Sequence, residues 1–150
     1  MNNKTTNGGT TAIASRADFP TIARWIKPDA RVLDLGCGDG ALLRYLIDSR
    51  GSRGYGVDIE DANVLACVRS GVSVVQRDLE GGLADFGSDS FDYVVLSQTL
   101  QVIRNTESLL REMLRLAPEG IVSLPNFGYW RHRLAVLGGH MPVSPALPYQ

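Results

Sequence analysis

The 150-residue chain, 44% hydrophobic and 21% charged, has the composition of one folded domain with a substantial core. A formal net charge of -1 supplies no positive field for nucleic acid or an anionic membrane. No stretch approaches the ~20 apolar residues of a membrane span, and the polar N-terminus lacks a signal peptide's apolar centre, so the expected compartment is the cytoplasm.

In chain order, Met1 to Ser15 is rich in Asn, Thr and Gly and reads as a disordered tail, with a single domain over 16–150. A short helix is expected from Asp18, with Pro20 in its first turn, where a missing N–H costs little. Phe19, Ile22, Ala23 and Ile26 recur at helical spacing, and Phe19 and Trp25 are expected in the core. Arg31 to Leu35 is the first predicted strand. A helix after Gly40 follows, turning Leu42, Leu43, Leu46 and Ile47 inward and stopping near Gly51. Arg53 to Val57 is a second strand that places Asp58 at an open strand end. Asp61 is expected to cap a helix whose Val64, Leu65 and Val68 face the core, with Gly71 as its stop.

Val72, Val74 and Val75 make a third strand closing at Asp78-Leu79, and Glu80 to Ser90 is a polar loop. Phe91 to Leu96 is an apolar run fit for a strand buried on both faces, with Ser97 to Gln101 at its C-terminal end. Asn105 is placed to cap a helix carrying Leu109, Leu110, Met113, Leu114 and Ala117 on one side, and Pro118-Glu119-Gly120 ends it. Ile121 to Leu124 is a fifth strand, 127–137 reads as helical, and 138–150 reads as loop. Strands alternating with helices define an α/β chain with a doubly wound, mostly parallel sheet. The only cysteines, Cys37 and Cys67, have no metal-ligand spacing and are expected as small buried residues; His132 and His140 are too isolated for a zinc site.

The chemistry concentrates in Val32-Leu33-Asp34-Leu35-Gly36-Cys37-Gly38-Asp39-Gly40. An apolar strand ends in an acid, glycines follow at alternate positions, and a helix begins. This is the ligand-binding turn of a parallel sheet, where glycine supplies positive φ and lets a ligand approach the backbone. A dinucleotide fingerprint is G-x-G-x-x-G; here the third glycine comes one residue early and Asp39 stands at the helix mouth. Asp34, Asp39, Asp58 and Asp78 would together repel a pyrophosphate and favour a positively charged ligand. S-adenosylmethionine fits that description, carrying a sulfonium and an amino group and no phosphate. A bare βα turn, with Asp58 and Asp78 as helix caps or loop partners, is the alternative.

With these motifs the chain resembles a class I S-adenosylmethionine-dependent methyltransferase of Rossmann-like fold. That resemblance implies that Gly36, Cys37, Gly38, Asp39 and Gly40 shape the turn around the methionine moiety, and that Asp34 organises the loop and the amino group. Asp58 would take both ribose hydroxyls. Asp78 would meet the adenine amino group, with Ile59 and Leu79 flanking the base, and Ser97, at the C-terminal end of the fourth strand, is counted among the cofactor-binding residues. A closer resemblance, from about Arg16 to Gln150, rests on Leu96-Ser97-Gln98-Thr99-Leu100-Gln101, on Ser123-Leu124-Pro125-Asn126-Phe127-Gly128-Tyr129-Trp130-Arg131, and on Met141-Pro142-Val143 with Ala146-Leu147-Pro148-Tyr149-Gln150. These segments look like the MetW family of methionine-biosynthesis proteins. The family implies homoserine O-acetyltransferase as partner and S-adenosylmethionine or S-adenosylhomocysteine as ligand. Family members continue beyond the point matching Gln150, so the sheet is expected here without their C-terminal strands.

Two functions stay open on the sequence: an adenosylmethionine-binding partner of the acetyltransferase, or an autonomous methyltransferase of a small molecule. Methyl transfer by inversion asks mainly for alignment in a dry cleft, so the lack of an obvious base decides nothing. The segment after the fourth strand lacks a Pro-Pro-aromatic motif and no Pro-Cys pair occurs, which argues against nucleic-acid methylation. Trp130-Arg131-His132-Arg133 is the one basic-aromatic cluster, read either as a partner surface or as a solvated helix face.

Overall fold

The computed structural model describes residues 18–97 and 103–123. The tail 1–15, the segment 98–102, Leu124, the helix expected over 127–137 and the loop 138–150 lie outside the described residues. Five parallel strands form one sheet in the order β3-β2-β1-β4-β5. They are β1 (Arg31–Leu35), β2 (Arg53–Asp58), β3 (Val74–Gln76), β4 (Tyr93–Ser97) and β5 (Glu119–Ser123). Helix α1 covers 18–25, and α2 (Ala41–Arg50), α3 (Asp61–Arg69) and α4 (Thr106–Leu116) connect successive strands. Only the step from β3 to β4 lacks an α-helix among the described residues; a 3-10 turn, Leu79–Gly81, and an extended loop make it. Winding runs outward from β1 to β3, then returns to the centre and runs out through β4 and β5. The reversal falls between β1 and β4, which opens a crevice at the C-terminal ends of the strands.

β1 is apolar because both faces are covered. Val32 joins a core layer with Phe19, Ile22, Ala23 and Ile26 of the α1 segment and Leu42, Leu43 and Leu46 of α2. Leu33 and Leu35 point the other way, into a layer with Leu83, Phe91, Leu109, Met113 and Leu116. Strand side chains alternate, so Asp34 shares the face of Val32 and is carried into the interior. Helix α2 ends as the sequence indicates: Gly51, in the left-handed region at φ 66°, returns its N–H to the Ile47 and Leu46 carbonyls.

The structure corrects several expectations. Trp25 is 60% exposed rather than buried, because the packed stripe runs through Phe19, Ile22 and Ala23 of α1 to Ile26 just beyond it, and Trp25 falls beside it. In α3, Leu65 and Val68 are exposed and Cys67 is the buried residue. From Val64 a helical face can continue through i+3 or i+4; packing selected i+3, since Cys67 closes against the glycine turn. Asp61 does not cap α3. Glu60 occupies the cap position, and Asp61 instead accepts a hydrogen bond from Gln76 Nε2 at 2.5 Å. In α4, Leu110 and Leu114 stand exposed while Leu116, absent from the expected stripe, is buried; Asn105 does cap, accepting from the Ser108 N–H at 3.2 Å. β3 is also shorter than expected, with Val72 buried just outside it.

Candidate functional site

The site is built on the chain reversal after β1. Gly36, Gly38 and Gly40 take φ of 69°, 57° and 77°, all left-handed, so the alternate-glycine spacing is a backbone requirement. The N–H groups of Gly36 and Cys37 both donate to the Val57 carbonyl, at 2.7 and 3.0 Å, fastening the turn to β2. Gly40 is crowded as well as twisted: a Cβ there would stand 2.9 Å from Cys67 Sγ and 3.3 Å from Val72. Asp39 is exposed, and its carboxylate accepts from the Ala41 N–H at 3.0 Å, so it supports the first turn of α2.

Asp58 is the organising acid. One carboxylate oxygen accepts from the Gly38 N–H at 2.8 Å; the other accepts from the Glu60 N–H at 3.0 Å and from Asn63 Nδ2 at 3.1 Å. It is 7% exposed, so the expectation of an open strand end is corrected: the residue is buried and ties the turn to the start of α3. A carboxylate offers about four lone-pair sites, and three internal bonds leave roughly one for a ligand, on the oxygen bonded to Gly38. Bidentate reception of two ribose hydroxyls would need Asn63 to turn away. Asp78 accepts from the Glu80 N–H at 2.9 Å and begins the 3-10 turn. Loop bonding and capping, the alternative reading of both acids, are thus functions they perform in the structure.

Asp34 behaves differently. It is 1% exposed, and its Oδ1 is buried with no hydrogen-bond partner. Burial, reinforced by the neighbouring charge of Asp58, pushes its carboxyl up to about 8. It makes no hydrogen bond to the loop amides, so it does not organise the loop in the expected way; what it holds is an unmet acceptor.

A cavity of about 350 Å3 lies between the turn and the ends of β2 and β3. It is lined by Gly36, Gly38, Asp58, Ile59, Asp78 and Leu79 among the expected residues. Cys37 turns its side chain away, toward Cys67, while Asp34, Asp39, Gly40 and Ser97 do not line it. Ser97 sits at the end of β4, in register with Ser123. Asn63, Arg77, Glu80 and Ile103 also line the cavity and escaped the sequence reading. Arg77 and Glu80 lie beside Asp78 and could have been found by proximity; Asn63, in the first turn of α3, looked like an ordinary helix residue. The positive charge of Arg77 is met by an ion pair with Asp85.

The parallel sheet and its winding reversal, with the alternate-glycine turn and acids at the ends of β1 and β2, define the Rossmann-like fold of class I S-adenosylmethionine-dependent methyltransferases. Solved structures agree. A putative methyltransferase in complex with the Trm112 activator of Haloferax volcanii superposes with TM-score 0.62 at 25% identity, covering 74% of this chain and 52% of that one. A SAM-dependent methyltransferase from Aquifex aeolicus gives TM-score 0.58 at 20% identity, covering 76% and 68%, and shows the shared fold. The family described as "Methionine biosynthesis protein MetW" matches residues 16–150, and the chain belongs to that family. The "Bifunctional methionine biosynthesis protein MetXA/MetW" of Rhodopirellula baltica is 39% identical over 142 residues, 89% of this chain and 23% of that protein. A 2-phytyl-1,4-naphtoquinone methyltransferase of Synechococcus elongatus is 31% identical over 129 residues, 81% of this chain and 51% of the relative. The chain spans about half or less of the length of these curated relatives. No described helix is long and apolar enough to cross a membrane.

Proposed function

We propose that the chain binds S-adenosylmethionine or S-adenosylhomocysteine in the 350 Å3 cavity and acts in methionine biosynthesis beside homoserine O-acetyltransferase. The observation that carries the ligand reading is the unpartnered, buried Oδ1 of Asp34 beneath a turn whose cavity is lined by Asp58 and Asp78. An ammonium group is what such an oxygen lacks, and a cationic ligand suits acids that would repel a pyrophosphate. In this reading Asp34, behind the cavity wall, acts on the amino group through its charge rather than by contact, Asp58 accepts one ribose hydroxyl beside Gly38, and Ile59 and Leu79 flank the base near Asp78. The bound ligand would supply an electrophilic methyl group. The chain's part is to hold it in place and keep water from it, in an α/β domain over 16–150.

The partner reading is supported by the relative whose name joins MetXA and MetW in one bifunctional protein. Similarity to a quinone methyltransferase supports a second reading, an autonomous methyltransferase of a small acceptor. Calorimetry with adenosylmethionine, adenosylhomocysteine, NAD and ATP tests the ligand; tighter binding of NAD ends this reading. Affinity capture from cells tests the partner. A stoichiometric homoserine O-acetyltransferase supports it, and pairing Tyr129→Ala with Arg133→Ala is expected to abolish capture while ligand binding persists.

A further inference from the structure

Two thiols that the chain separates by 30 residues meet behind the glycine turn, with Cys37 Sγ and Cys67 Sγ 3.7 Å apart. Neither lines the cavity, and the proposed function uses neither side chain. Two glycines hold them face to face. A Cβ on Gly56 would lie 2.3 Å from Cys37 Sγ, and one on Gly40 would lie 2.9 Å from Cys67 Sγ. Both sulfurs also approach the Gly38 carbonyl, at 3.8 Å from Cys37 and 3.2 Å from Cys67. Gly38 is the residue whose N–H donates to Asp58. The thiol pair therefore sits under the hydrogen bonds that shape the turn.

We propose that Cys37 and Cys67 are a modification site: a peroxide oxidises the pair to a disulfide, which draws the turn onto α3 and weakens binding in the adjoining cavity. Cys37 keeps 8% of its surface exposed and Cys67 none, so the first step falls on Cys37. With hydrogen peroxide, one peroxide oxygen bonds to the Cys37 sulfur as the O–O bond breaks. The other oxygen leaves as water with the thiol proton, and Cys37 becomes a sulfenic acid. The Cys67 sulfur then displaces the hydroxyl. The S–S bond forms, the S–O bond breaks, and the hydroxyl leaves as a second water with the Cys67 proton. The two sulfurs give up two electrons and the peroxide accepts them. Burial holds both thiols above their usual range, so the resting pair is protonated and reacts only when the turn opens. A disulfide needs its sulfurs about 2 Å apart, so the turn and α3 must close up, and the Gly38 carbonyl loses both thiol donors.

The oxidation step rests on geometry alone; only its effect on affinity rests on the proposed ligand. The full chain is reduced with dithiothreitol, treated with hydrogen peroxide, and followed by intact mass, peptide mapping and calorimetry with adenosylhomocysteine. The expected product has lost two hydrogens and carries one peptide linking Cys37 to Cys67, which dithiothreitol reverses. Its affinity for adenosylhomocysteine falls roughly tenfold or more, about 1.4 kcal/mol. Cys67→Ser under the same treatment keeps its affinity and gains oxygen on Cys37. Separate over-oxidised thiols with no linked peptide would overturn the proposal, as would a fully linked chain that binds as tightly as the reduced one. If the reduced chain binds no adenosylhomocysteine, the ligand reading fails by itself. Amide hydrogen exchange at Gly38 and Gly40 then decides: altered rates in the linked chain support the clasp, and unchanged rates refute it.

Discussion

The two ends of the sheet each carry a cavity, and the larger one is at the end with less chemistry. At the N-terminal ends of β1 and β2, about 600 Å3 is lined by Arg31, Arg53, Tyr55, Phe86 and Phe91, among others. At the C-terminal ends the space is about 350 Å3. At the larger cavity's rim Arg31 is half-exposed and matched: it pairs with Asp92 at 3.0 Å, and the Arg31 N–H donates to the same carboxylate at 2.7 Å. That pairing holds the Asp92 carboxyl below its usual range. At the C-terminal end, Asp34 and Asp58 are buried, one oxygen of Asp34 is unpartnered, and three glycines hold left-handed backbone. Volume does not mark a site. Polar groups desolvated without full compensation do, because a fold retains that cost only where a ligand or a structural bond offsets it.

The largest loss is expected at Asp58. Asp58→Ala strands the Gly38 and Glu60 N–H groups and the Asn63 amide. It is expected to cost about 1–3 kcal/mol of stability in denaturant melts and about 1.5–3 kcal/mol of adenosylhomocysteine affinity by calorimetry. A variant that melts like the parent would show that these bonds do not hold the turn. Next, Gly56→Ala puts a methyl 2.3 Å from Cys37 Sγ in a packed strand. About 1–3 kcal/mol of overpacking is expected from thermal unfolding, with weaker ligand binding as the turn shifts.

Asp34 sharpens the comparison through pH. Burial holds its carboxyl up to about 8, against the ordinary 3.8 of an exposed aspartate, so between these pH values the folded chain keeps a proton the unfolded chain has lost. Stability from this group is complete below the unfolded value, falls as pH rises through the window, and is fully lost above the folded value. Asp34→Asn should flatten that decline and be the more stable form at pH 8, by on the order of 1 kcal/mol or more in urea melts. A cationic ligand should release the proton, so parental affinity should rise with pH up to about 8 while the variant's stays flat and weaker. The smallest effect belongs to the far end. Arg31→Ala removes a half-exposed, solvent-screened pair and should leave both the thermal midpoint and ligand affinity close to those of the parent.

Much of the architecture was legible in the chain. Dense apolar residues marked β1 and β4 because a central parallel strand is covered on both faces, and glycine at 36, 38, 40 and 51 marked the places where backbone must turn left-handed. The helix faces were less legible. Val64, Leu65, Cys67 and Val68 present two overlapping stripes, and periodicity cannot choose between them. Of the expected site residues, those along the ends of β2 and β3 line the cavity; Ser97, on the far side of the crevice, and Asp39, engaged by its own helix, do not.

Local spacing and residue type fix the order of strands and helices, the place of the turn and of the acids beside it, and the family. How each acid is used follows from packing. Asp34 and Asp58 read alike, as carboxylates at strand ends. One is left with an unmet oxygen and a raised protonation range, and the other is filled by bonds to Gly38, Glu60 and Asn63. Cys37 and Cys67 likewise read as two unrelated small residues until folding set their sulfurs 3.7 Å apart. Desolvation, hydrogen-bond supply and contact between distant residues are properties of the packed chain, and no spacing along the sequence encodes them locally.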